Sequence, residues 1–162
     1  MNVLMLILAF ATDPAACPMH ARHTASSHHA AVDQRGDHVM GFSHEKTKHT
    51  FRLHRDGGAV EVRANDAADA ESVAAIREHM QKIADDFTSA DFAKPKEIHG
   101  RIPDGVPAMK ELGGRIRYLY EELDGGARVR IRTSEARGVE AVHEFLRFQI
   151  EDHRTGDSLT IH

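Results

Sequence analysis

At 162 residues, 41% of them apolar, the chain has the length of one domain and enough hydrophobic material for a core. A formal charge of -4 gives no global reason to expect nucleic acid as a partner. A single cysteine excludes an intramolecular disulfide, and with 6% aromatic content and no tryptophan the core must come from Val, Ile, Leu, Met and Ala.

The first sixteen residues read as a targeting segment. Val3 to Ala11 is an unbroken apolar run of nine, the size of a signal-peptide core and too short to span a bilayer. Ala9-Phe10-Ala11 has the small-x-small form of a cleavage site, and Pro14-Ala15-Ala16-Cys17 ends like a lipoprotein processing site. Export follows as an expectation, with membrane attachment only through a lipid on Cys17. Residues 17–36, rich in Ala, His and Ser, show neither helical nor strand periodicity and are expected to form a flexible His-rich linker. The folded domain is expected over residues 37–162.

From His49 the pattern alternates. Phe51 and Leu53 fall on one face and Arg52 and His54 on the other, Asp56-Gly57-Gly58 supplies a hairpin turn, and Val60 and Val62 continue the strand pattern. Asn65 or Asp66 would cap a helix whose Val73, Ile76, Met80, Ile83 and Phe87 make one apolar stripe. Pro95, Pro103 and Pro107 break up residues 88–113, leaving a short helix around Ala108–Leu112. The motif then returns: Ile116, Tyr118 and Tyr120 alternate, Asp124-Gly125-Gly126 turns, and Val129 and Ile131 alternate with arginines. A last helix carries Val139, Val142, Leu146 and Ile150 inward. The expected fold is therefore α+β: a four-stranded, mainly antiparallel sheet from two strand-strand-helix units, with the helices on one face. The two Asp-Gly-Gly turns are the closest match between the units, as duplication or coincidence would equally produce.

Of the 13 histidines, eight fall between His20 and His54. Imidazole, thiolate and thioether form the ligand set of soft and borderline metals, copper and zinc above all. His38 to His49 packs three imidazoles and the Met40 thioether into one block, and Gly41 would let it fold back so that Met40 and His44 approach His49. His49 shares strand parity with Phe51 and Leu53 and should point toward the core, as ligand or as a satisfied core imidazole. His79 and His143 flank the two helical stripes and could join it if the helices pack side by side. Cys17, Met19 and His20 offer a second donor set on the arm. On the polar face of the sheet Arg52, Arg63, Arg128, Arg130 and Arg132 would suit an anion, an acidic partner or self-association, unless Glu61, Glu121 and Glu122 neutralise them. No aromatic platform accompanies them, which argues against nucleic acid. The chain contains no nucleophile elbow, phosphate-cradling glycine loop or haem attachment site, so an enzyme is the weakest reading.

The run Cys17-Pro18-Met19-His20 resembles the opening Cys-Pro-Met-His-Pro of small heavy-metal-binding modules attached to bacterial copper-efflux proteins, with Ala21 in place of the last proline and no second Cys-x-x-Cys pair. The segments Gly36 to Thr47 (GDHVMGFSHEKT) and His143 to Asp157 (HEFLRFQIEDHRTGD) resemble an uncharacterised family of small exported bacterial proteins, over about residues 33–158. That resemblance implies a bacterial, periplasmic setting and assigns no catalytic role. The functional expectation is metal binding, copper ahead of zinc, for sequestration or delivery in the cell envelope. The alternative is a non-metal interaction module.

Overall fold

A computed structural model describes residues 18–162, with side chains from residue 27 onward. The expected signal segment 1–16 and Cys17 lie outside the described residues, as do the side chains of Met19 and His20. The fold is α+β: a four-stranded antiparallel sheet in the order β1-β2-β4-β3, with five α-helices among the described residues. The strands are β1 (Thr47–His54), β2 (Gly57–Ala64), β3 (Arg117–Leu123) and β4 (Gly126–Arg132). The helices are α1 (Pro18–Met40), α2 (Ala70–Thr88), α3 (Ala93–His99), α4 (Val106–Leu112) and α5 (Ala136–Asp152). Among the described residues no helix is long and apolar enough to cross a membrane.

Successive residues of a strand point to opposite faces, so alternate side chains of each strand face the helices. Phe51, Val60, Val129 and Tyr120 form one row across the sheet, and His49, Val62 and Ala127 the next. Helices α2 and α5 cover that inner face with Ile76, Met80, Ile83 and Phe87 from one and Val142, Phe145, Leu146 and Ile150 from the other. Asp69, four residues beyond the expected Asn65, caps α2 by accepting the Ser72 N–H at 3.0 Å.

Two features depart from the sequence pattern. Residues 18–40, expected as a linker up to residue 36, form helix α1. Its buried face is the sparse stripe Val32, Gly36 and Met40, one residue in four. A periodicity search weighs apolar side chains, and here the middle position is glycine, with the Met40 side chain packed where its Cβ would be, at 3.2 Å. Arg35 fastens the helix by donating to the Ile98 carbonyl at 2.7 Å. The second departure concerns the hairpins. His54 pairs with Gly57 and Leu123 with Gly126, so the first turn is Arg55-Asp56 and the second Asp124-Gly125. The structural repeat therefore runs one residue out of step with the repeated Asp-Gly-Gly motif: Gly57 occupies the place of Gly126, not of Gly125.

The two edges of the sheet differ. Along β1, His162 donates to the Leu53 carbonyl and accepts from Arg55, both at 3.0 Å, while the Asp157 carboxylate accepts the Phe51 N–H at 2.9 Å. Along the outer edge of β3 no backbone group has a partner among the described residues.

Candidate functional site: an imidazole and thioether cavity

Six elements converge on a cavity of about 60 Å³ between the sheet and its helices. Strand β1 brings His49, whose parity with Phe51 turns it inward as the alternation requires. Helix α2 adds His79 and Met80, the end of α1 adds Met40, the last residue of α3 is His99, and His153 follows α5. Apart from Gln149 the remaining wall is apolar, chiefly Val60, Val62, Ile83, Phe87, Ile98 and Phe145, with no Asp, Glu, Lys or Arg. A wider groove of about 670 Å³ over Ile102, Pro107, Glu144 and Arg147 contains no histidine or methionine.

The rings form a continuous stack. His49 and His153 lie face to face with centroids 5.5 Å apart and planes 3° from parallel. His153 meets His99 edge-on at 4.9 Å, and Phe42 wedges between His49 at 6.2 Å and His79 at 5.6 Å. Burial disfavours the imidazolium form throughout. It pushes His49 and His79 down to about 4 and His153 down to about 3, and it lowers His99 as well. All four are therefore neutral at physiological pH, each with a nitrogen lone pair. No hydrogen bond engages the ring nitrogens of His49, His79 or His153 among the described residues.

His99 is held differently. Its side chain is 1% exposed, and its Nδ1 is hydrogen-bonded to Asp152 Oδ2 at 2.5 Å. Burial works to raise the Asp152 carboxyl, but the hydrogen bonds from His28 (2.9 Å) and His99 prevail and hold it low. An ionised Asp152 requires the His99 proton on Nδ1, which leaves the lone pair on Nε2. That nitrogen faces Gln149 Oε1 at 3.0 Å, while Gln149 Nε2 is buried without a partner. Two acceptors face each other and a donor is orphaned, so a neutral His99 calls for a half-turn of the amide that lets Gln149 Nε2 donate.

Of the described side chains predicted as ligands, Met40, His49 and His79 share the cavity and His44 and His143 do not. His44 sits at the surface, where its Nδ1 pairs with Asp37 at 2.9 Å and that hydrogen bond raises its pKa. His143 is buried about ten residues, roughly 15 Å of helical rise, from His153, and its Nε2 bonds to the His54 carbonyl at 2.9 Å. It is a satisfied core imidazole. His99 and His153 were missed. His99 lies in the proline-broken stretch where no periodicity points inward, and His153 lies just past the end of the last helical stripe.

The predicted arginines are each engaged by a carboxylate or a backbone carbonyl. Arg52 reaches Glu61 at 3.4 Å, Arg128 reaches Glu121 at 2.5 Å, and Arg63 donates to the Asp124 carbonyl at 2.6 Å. Arg130 and Arg132 share Asp56, whose carboxyl is held low chiefly by its hydrogen bond from Arg130. Arg117, by contrast, has no hydrogen-bond or ion-pair partner among the described residues.

The fold and cavity define an α+β domain with an uncharged imidazole and thioether site. No family model matches the chain, no curated protein matches it, and no solved structure matches it.

Proposed function

We propose that this chain binds a soft or borderline transition metal in the cavity, copper ahead of zinc, for sequestration or delivery after export. The observation supporting this reading is three neutral imidazoles, His49, His79 and His153, with no hydrogen-bond partner among the described residues and a thioether beside them. All three rings are half-buried, and their unengaged nitrogens leave lone pairs that a metal ion would take. Among the described residues no three His, Cys, Asp or Glu side chains stand close enough to hold an ion as they lie. Binding therefore requires the rings of His49 and His153, now stacked face to face, to rearrange. The donor chemistry fits: His49, His153 and Met40 would hold the ion, with His79 as a further donor, and His99 with Asp152 would orient the shell. A cavity wall without carboxylate leaves a divalent charge unneutralised in an apolar setting, so the softer, singly charged Cu(I) is favoured.

Anaerobic Cu(I) titration of the full chain against a chromophoric chelator tests this. One equivalent is expected to bind, with affinity falling by about 100-fold or more in His49→Ala and His153→Ala, and about 10- to 100-fold in Asp152→Asn. His44→Ala and His143→Ala should retain it. Copper that survives His49→Ala/His153→Ala but disappears with Cys17→Ser would place metal chemistry on the arm and reject the cavity. Because the cavity imidazoles are so reluctant to protonate, occupancy should persist at pH 5.5, where an ordinary histidine site loses its metal.

A further inference from the structure

We propose that the chain pairs with a second copy of itself through the outer edge of β3, extending the sheet to eight strands across a two-fold axis at Leu119. The two edges of the sheet are treated oppositely. The edge of β1 is covered by Asp157, Ile161 and His162, whereas that of β3 is open among the described residues. An unpaired edge is a template for another strand, and folded proteins normally cover it or defend it with charge.

The residues on β3 select both the partner and the register. Directly opposed residues in an antiparallel pair share a face. On the open face β3 presents Arg117, Leu119 and Glu121; on the helix-covered face it presents Tyr118 and Tyr120. Centred on Leu119, Arg117 lies opposite the partner's Glu121, Leu119 opposite the partner's Leu119, and Tyr118 opposite the partner's Tyr120. From Arg117 to Glu121 each position then meets a complementary one, with the charge pair made twice over by symmetry. Moving the axis to Tyr120 sets Leu119 against the partner's Glu121. Moving it to Glu121 sets two carboxylates against each other.

Two otherwise unexplained side chains support this register. Leu119 is 41% exposed on a face that is otherwise chiefly charged, and Arg117 is the arginine of that face without a partner. Pairing would cover the first and neutralise the second. A seven-residue edge makes a small interface, below the roughly 1,200 Å² of stable complexes, so the dimer is expected to be weak and concentration-dependent.

Sedimentation of the full chain from micromolar to several hundred micromolar should show a reversible monomer–dimer equilibrium. Leu119→Lys, at an exposed position, should leave the melting temperature unchanged and abolish the dimer. Arg117→Glu should weaken it at least tenfold by opposing the partner's Glu121. In a Cys17→Ser background, oxidised Leu119→Cys should cross-link to itself. Glu121→Cys should not, because the two copies of residue 121 would stand about 13 Å apart along the strand, beyond disulfide reach. A chain monomeric at every concentration, a dimer that survives Leu119→Lys, or equal cross-linking at residue 121 would overturn the proposal.

Discussion

Gly126→Ala is expected to destabilise the protein by about 3 kcal/mol or more, visible as a large drop in the urea midpoint at unchanged slope. A Cβ at residue 126 would lie 2.0 Å from the Val62 carbonyl oxygen and 2.9 Å from the Arg63 Cα. Both atoms belong to the backbone of β2, the neighbouring central strand, so no side chain can rotate away to make room. The φ of Gly126 is unexceptional; what the position demands is space. Gly125, just before it, has φ +67 and serves the turn itself. The two adjacent glycines thus answer different requirements, one of conformation and one of close approach. Gly114→Ala is the matched control. A Cβ there meets nothing within 4 Å, and its effect should stay within about 0.5 kcal/mol.

The metal-free protein should unfold as pH falls from 6.5 toward 4. The folded-state values of about 4 for His49 and His79 and about 3 for His153 lie below the unfolded value of about 6.5. The unfolded chain therefore takes up protons first. Stability is fully present above pH 6.5 and is lost progressively as the medium acidifies toward the folded values. Each unit of depression corresponds to about 1.4 kcal/mol, so three such groups together weigh on the order of 5 kcal/mol or more. That is comparable to the roughly 5–15 kcal/mol by which domains are stable. His44 runs in the opposite sense: its raised value contributes stability that fades as pH rises, but on an exposed ion pair this is minor. Circular dichroism should show a cooperative transition near pH 5, displaced to lower pH by His49→Leu. An unchanged spectrum down to pH 4 would mean that the cavity admits protons without opening.

Where burial follows a regular period, the sequence was a good guide. The alternation in β1, β2 and β4 and the stripes of α2 and α5 placed the sheet and its covering helices correctly. The inward parity of His49 followed from the same alternation. Helix α1 escaped because its stripe of Val32, Gly36 and Met40 contains a glycine where a periodicity search needs an apolar side chain. The turn motif misled in the other direction: identical Asp-Gly-Gly letters fall one residue apart in the two hairpins, because Asp56 ends a turn that Asp124 begins. Half of the cavity was illegible for a related reason. His99 and His153 stand at or just past helix ends, where orientation depends on how the chain leaves the helix and not on a repeating angle. His143, on the flank of a regular stripe, looked equivalent to His79, yet it lies outside the cavity and bonds to the carbonyl of His54.

The Asp152 carboxylate links parts of the chain that are remote in sequence. It accepts from His28 on α1 and from His99 at the cavity, and Met40 of the same helix lines that cavity. Anything that orders His99 and Met40 must therefore favour the seated helix, and seating the helix must favour the ordered rings by an equal free energy. Resistance of the segment around His28 to limited proteolysis should accordingly rise and fall with the occupancy of the cavity. The arm of this protein would then act as an external gauge of its interior.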